Sequence, residues 1–365
     1  MSVAKPAQGS ELAVWGGGPV PDNPGGLNLA ASWYAAVRTS ELGRKPLSRR
    51  LFGRDLVLWR DRHGQPRTLP AHCPHQGAHL GLGKVVDGAV QCPFHHWRFG
   101  GDGRCVSIPH LDKIPGTAKL QPYPTVEAYG YVWVWYGTPE PLFDLPDFPP
   151  LTSASGDYVG FHYDDDTTGT VRHLLENAVD YQHFSALHGL DLDGIDYRVL
   201  TDPAAAADNG AALTRRDAWF GVWFAGRPAR PPFRQQPLTA LSAVIATFAM
   251  GERMELLVDG WPGGQRFTAY VDGQEVYKVL MGTVPVDDRR TRQVGWAGVR
   301  RTGRWARTLA NLVLFWVQNR AGTWQDIPIY DATRTAQPTV YVRYDAGLMR
   351  FRRYYQHWVE KAETR

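Results

Sequence analysis

Cysteine is scarce: three in 365 residues, an odd number too small for a disulfide framework and in keeping with a reducing compartment. Long hydrophobic runs are missing too. The longest, Ala240 to Met250, covers about half of a bilayer span, so no membrane helix is expected. Residues 1–26 have neither the basic prelude nor the apolar core of a signal peptide, and a cytoplasmic location is expected. Charge of one sign is also lacking. The 40 Lys and Arg against 36 Asp and Glu leave +4, spread along the chain with no basic footprint for nucleic acid. There are no internal repeats, and 43% hydrophobic with 21% charged residues excludes a disordered or fibrous chain. Aromatic side chains, in contrast, are plentiful. The 14 Trp, 16 Tyr and 14 Phe suit flat-walled pockets as well as core.

The length is comfortable for two domains. Residues 1–26, rich in Gly and Pro, read as an extended arm. From 27 to 138 short strands alternate with turn signals: Leu51 to Trp59 runs into the turn Asp61–Gly64, and Tyr129 to Gly137 is aromatic and β-branched. Five prolines within 139–150 mark a stiff linker. Residues 151–365 mix elements. Thr170–His188 and Arg304–Gln318 read as helices, and Phe351–Lys361 as a terminal one. Leu241–Val258 and Arg266–Val284 read as antiparallel strands divided by a turn at Asp259–Gly264. The expected class is α+β: an all-β domain ahead of a domain with one antiparallel sheet.

Two motifs carry chemistry. Cys73-Pro-His75 and Cys92-Pro-Phe-His95 each supply one thiol and one imidazole, with sixteen residues between the loops. A zinc finger usually draws its thiols from one loop and its imidazoles from another. One of each per loop suits a two-iron cluster in which one iron takes both thiolates and the other both imidazoles; a zinc site is the alternative. The pattern resembles the Rieske [2Fe–2S] motif, which implies that Cys73 and Cys92 hold the inner iron and His75 and His95 the outer one. His79, His96 and His110 fall outside it, and Cys105 reads as a small buried residue.

The second motif is Asn177-x-x-Asp180-x-x-His183-x4-His188-Gly189. Asn177, Asp180 and His183 would share one helix face. His188 is five residues beyond His183, about 140° around an ideal helix, so the two rings meet on one metal only where the helix breaks. Two histidines and a carboxylate suit a non-haem Fe(II) with open positions for O₂.

This segment resembles the catalytic iron segment of the Rieske non-haem iron oxygenases. The resemblance implies a cluster domain ahead of a helix-grip, START-like catalytic domain. It also implies electrons passing from the cluster to a mononuclear Fe(II) that activates O₂, in a homotrimer where an aspartate bridges the two metal sites of neighbouring subunits. Asp180 matches the bridging position, between His183 and a neighbour's His95, and with Asn177 is assigned to catalysis. The third ligand is then expected at Asp326, with Asp331 as competitor and Glu176 pointing away. No dinucleotide fingerprint is present, since Gly100-Gly-Asp-Gly103 lacks the strand–helix context. NAD(P)H is therefore expected to act through a separate reductase, with or without a ferredoxin.

Further stretches, among them Leu29–Tyr34, Cys92–Arg98, Tyr129–Gly137 and Arg343–Val359, resemble the branch of the family that oxidises an arylamine to a nitro compound. Arylamine N-oxygenation of an aromatic secondary metabolite follows as the expectation. C–H hydroxylation, desaturation or cyclisation of an aromatic or steroid substrate stays open, as does an electron carrier or redox sensor. Phe184, Trp219, Phe220, Trp223 and Phe224 are either pocket wall or sheet core, and Asp164–Asp166 reads as a solvated turn.

Overall fold

The computed structural model describes residues 27–153, 155–188, 192–204, 215–229, 251–333 and 340–363. The expected arm over 1–26, the apolar run Ala240–Met250, with it the first part of the strand expected from Leu241, and Gly189 lie outside the described residues.

Ten strands make up the first part. They are β1 (Ser32–Arg38), β2 (Leu47–Leu51), β3 (Arg54–Arg60), β4 (Pro66–Pro70), β5 (Lys84–Val86), β6 (Ala89–Gln91), β7 (Arg98–Phe99), β8 (Cys105–Ser107), β9 (Thr125–Ala128) and β10 (Tyr131–Tyr136). They pair as three sheets, β1-β10-β9, β2-β3-β4 and β5-β6-β7-β8. The strand expected from Leu51 to Trp59 is in fact a hairpin. Phe52 and Gly53 turn with φ of 58° and 68°, the pair of positive values that a two-residue type I′ turn requires. Packing holds the phenylalanine there: its ring lies 4.7 Å from Tyr136 and 5.6 Å from Tyr34. The tip donates from Phe52 N to Pro285 O (2.7 Å) and from Gly53 N to Val286 O (3.0 Å), docking this sheet onto the second half of the chain.

Two cores result. A small one, with Trp59, Leu69, Leu80, Val90 and Phe99, encloses Cys73 and Cys92. A large one unites β1 and β10 with the second half through Tyr34, Trp133 and Trp135. The proline-rich stretch lies across it as a strap: Phe143 and Phe148 are buried, and Trp33 Nε1 donates to Phe143 O at 2.8 Å. The strap ends in one helical turn, α1 (Pro149–Thr152).

The second half is one seven-stranded antiparallel sheet. Its strands are β11 (Tyr158–Thr167), β12 (Leu192–Leu200), β13 (Phe220–Pro228), β14 (Met254–Trp261), β15 (Gly264–Val271), β16 (Gln274–Asp287) and β17 (Arg290–Arg300), in the order β11-β17-β16-β15-β14-β13-β12. The turn expected over Asp259–Gly264 is only Pro262 and Gly263. Gly263 is needed there because a Cβ would sit 2.1 Å from the Trp33 carbonyl oxygen. Asp259 is thus a buried strand residue, paired with Arg266 and accepting from Trp219 Nε1 at 2.7 Å. Asp164–Asp166 is likewise strand rather than solvated turn. The three carboxylates in β11 pair with Arg292, Arg320 and Arg290, partners too distant in sequence for a local reading to supply.

Thr170 caps α2 (Val171–Asn177) by accepting from His173 N at 3.2 Å; α3 (Gln182–Ala186) follows after a break. The helix expected to stop at Gln318 continues as α4 (Trp305–Ala332), with Pro328 inside it. It lies on β11 and β17, and its Phe315 stacks on Tyr277 of β16 at 4.4 Å. A terminal helix, α5 (Ala346–Glu363), buries Phe351, Tyr355 and Trp358. This is the helix-on-sheet arrangement expected. Among the described residues no helix is long and apolar enough to cross a membrane.

Candidate metal centres

Cys73 and Cys92 open two matching loops. Each carbonyl accepts from the N–H four residues on, Gly77 at 2.9 Å and His96 at 3.2 Å. Each closing residue has positive φ, 75° at Gly77 and 58° at His96. His96 is therefore a turn residue, which accounts for a histidine outside the ligand pattern. The cysteine N–H groups match as well, donating to Ala78 O (3.0 Å) and Trp97 O (2.8 Å). Both thiols are buried, 3% and 1% exposed. The imidazoles of His75 and His95 reach the surface with ring centroids 4.6 Å apart, and His75 stacks on Trp97 at 4.6 Å.

Burial pushes the Cys73 thiol up to about 11; the His75 N–H opposes that and the facing Cys92 adds to it. A thiol so placed ionises readily only against a cation. Among the described residues one set of three His, Cys, Asp or Glu ligand atoms lies mutually within 4.8 Å, and these four residues supply none of it. A buried thiol pair and an outer imidazole pair, spread too widely for one zinc, fit a two-iron cluster. His79 accepts from Gly81 N at 3.1 Å, His110 is an exposed turn residue, and the Cys105 thiol donates to Ser107 O at 3.4 Å.

The set within 4.8 Å is His183, His188 and Asp326. The chain breaks where the ring geometry requires: α3 ends at Ala186, between the two histidines, and their rings come to 5.1 Å. Asn177, Asp180 and His183 do not share one helix, because α2 stops at Asn177. Even so, Asn177 Nδ2 lies 3.2 Å from His183 Nε2. His183 Nδ1 bonds the backbone carbonyl of Asp180, not its carboxylate. The carboxylate instead accepts from Gln182 N at 2.9 Å, and the expected side-chain contact to His183 is not among its bonds in the described residues.

Asp326 sits inside α4 rather than after it, 3.3 Å from His188 Nε2. Its Oδ1 is buried without a hydrogen-bond partner among the described residues. Burial lowers the His183 pKa, with the Asp326 carboxylate opposing; at His188 burial also lowers, yet the adjacent Asp326 carboxylate prevails and the pKa is raised. A carboxylate oxygen whose nearest polar neighbours are imidazole nitrogens fits a divalent iron. The competitors are used elsewhere. Asp331 Oδ1 accepts from Thr168 N and Thr167 Oγ1, each at 2.7 Å, and Glu176 holds Arg352 through two bonds of 2.7 Å.

Among the expected wall residues only Phe184 and Phe224 stand near this set. Phe184 is 4.1 Å from the His183 ring, 5.9 Å from His188 and 5.2 Å from Phe224. Trp219 is spent on Asp259, Phe220 packs on Phe351 (5.4 Å), and Trp223 faces Tyr270 (5.9 Å). A cavity of about 120 Å³ lies between the sheet and α4, lined by Ala269, Val276, Tyr277, Phe315 and Gln318 among others. Gln318 is about 12 Å along the helix from Asp326. Sequence reasoning missed Gln325, whose Oε1 meets His188 Nδ1 at 2.9 Å. Its only signal was adjacency to Asp326.

Residues 32–124 match the model of the Rieske [2Fe-2S] domain. Over 343 residues the chain is 34% identical to aminopyrrolnitrin oxygenase PrnD of Pseudomonas fluorescens, spanning 92% of this chain and 93% of that protein. The chain belongs to the Rieske non-haem iron oxygenases. As such it is an oxidoreductase that uses a Rieske cluster, a mononuclear iron and O₂. This Rieske oxygenase is also 33% identical, over 166 residues, to the oxygenase component of 3-ketosteroid-9-alpha-monooxygenase from Rhodococcus rhodochrous, covering 44% of this chain and 43% of that one. Its fold is similar to that of dicamba monooxygenase bound to dicamba (TM-score 0.63, 19% identity, 92% of this chain and 99% of that chain).

Proposed function

We propose that this Rieske oxygenase oxidises the nitrogen of an arylamine, carrying an amine towards a nitro group. The observation that carries this reading is the 34% identity to aminopyrrolnitrin oxygenase along almost the full length of both chains. The aromatic wall supports it: Phe184 against His183, backed by Phe224, offers a flat apolar face for a ring.

In this reading Cys73, Cys92, His75 and His95 hold the cluster, and His183, His188 and Asp326 hold the mononuclear iron. When bound, the cluster supplies single electrons and the iron supplies O₂ activation. The chain's own residues do the rest. The half-buried Asp326 carboxylate and the two imidazoles would give a donor set with a single carboxylate charge. Phe184 keeps water from one side of it. Asn177, 3.2 Å from His183 Nε2, presents a carboxamide at the edge of the site. Asp180 lies half-buried beside His183, and a second copy of the chain would bring its exposed His95 loop against that surface in a homotrimer. Electrons enter from a separate reductase, with or without a ferredoxin.

Single turnover tests the reading. The purified protein is reduced with dithionite, freed of excess reductant, and exposed to O₂ with a panel of arylamines. Amine-dependent cluster oxidation with hydroxylamine, nitroso or nitro products is expected. Carbon-hydroxylated products would overturn N-oxygenation. Turnover of a 3-ketosteroid alone would favour the reading that the partial match to the steroid monooxygenase suggests.

A further inference from the structure

One turn of α4 holds His188 in three ways. Gly322 lies under the imidazole, where an added Cβ would meet the ring carbon Cε1 at 3.8 Å, ordinary contact distance. Gln325 Oε1 meets Nδ1 at 2.9 Å. Asp326 Oδ1 stands 3.3 Å from Nε2, on the opposite edge of the ring. The residues are i, i+3 and i+4, neighbours on one helical face.

We propose that Gln325 is the positioning residue for His188, fixing its tautomer and ring angle for the metal. The proposal rests on His183, His188 and Asp326 being the iron ligands. A glutamine oxygen can only accept, so it keeps a proton on Nδ1, and Nε2, which faces the Asp326 carboxylate, is the nitrogen left to meet a metal. A ligand histidine whose second nitrogen has an acceptor is a better-oriented and more basic donor. The two histidines obtain this differently. His183 uses the main-chain carbonyl of Asp180, which no side-chain substitution removes. His188 depends on a side chain 137 residues away, so its orientation hangs on one replaceable group. The amide adds no charge, and the donor set keeps a single carboxylate. Glutamate would keep the acceptor and add negative charge.

The test uses the full-length protein with its cluster loaded, in four forms: unchanged, Gln325→Met, Gln325→Glu and His188→Ala. Methionine keeps the length and loses the acceptor. The visible spectrum of the cluster reports in each that the chain is folded. Fe(II) retention against a chelator and the electron paramagnetic resonance of the nitric oxide adduct are then read. Gln325→Met should hold Fe(II) about 10–100-fold more weakly and broaden the nitric oxide signal, the range typical of losing such a partner. Gln325→Glu should retain Fe(II) at least as well as the unchanged protein, which a purely packing role would not explain. If His188→Ala loses iron while Gln325→Met keeps it with unchanged affinity and signal, the positioning role is wrong and the ligand set stands. If His188→Ala keeps its iron, the ligand set is wrong and the proposal falls with it.

Discussion

The proposed donors of the Rieske loops stand nineteen positions apart at Cys73 and Cys92, on two turns of the same backbone shape. Those of the second site come from α3, the residue pair just past it, and α4, with His188 and Asp326 separated by 138 positions. The first arrangement is made by local geometry. A positive φ at Gly77 and at His96 closes each loop, and a small core of its own encloses the thiols. The second exists only after the seven-stranded sheet has formed and α4 has packed on β11 and β17. Damage to packing in the large core should therefore reach the second site first, and damage to either ligand set should leave the other standing.

The most severe test of that independence is ligand removal. His188→Ala should abolish product and lower iron from about three to about two per chain with the cluster spectrum unchanged. Cys92→Ser should remove the cluster and its colour while the second site still binds added Fe(II). Metal analysis with visible absorbance reads both, and joint loss in either variant would contradict the separation. Next in size is the scaffold. Asp259→Ala leaves Arg266 buried without its carboxylate, and about 3–5 kcal/mol should be lost, read as a lower urea midpoint. In that variant the second iron should be lost at lower urea than the cluster.

A smaller effect is expected where the two sites communicate. Asp180→Asn should keep both metals and slow O₂-driven reoxidation of the cluster by about 10–100-fold, measured by stopped flow; unchanged rates would remove Asp180 from the route. Smallest is Trp97→Leu, which removes the ring stacked on His75. About 0.5–1.5 kcal/mol of local stability should go, seen as earlier thermal bleaching of the cluster with no change in iron at the second site.

The same contrast explains what could be read from the sequence. The proposed Rieske donors could be picked out of the sequence because everything that positions them lies within a few residues of each cysteine. The break between His183 and His188 was legible from helix geometry alone. Asp326 needed the resemblance, since no local pattern ties it to a histidine so far away. Gln325 was invisible for the same reason. Phe52 was missed because the large core, not propensity, holds its left-handed backbone. Asp164–Asp166 was misread because the three arginines that order it lie on β17 and α4. Where sequence neighbours do the positioning the chain declares its chemistry, and where the tertiary fold does, it does not.

The most direct test of two independent metal sites in one chain is mild chelation of the purified protein. A ferrous chelator should extract about one iron per chain and abolish turnover while the Rieske absorbance persists, and added Fe(II) should restore activity. Loss of colour in step with the iron, or zinc where the second iron is expected, would contradict the account.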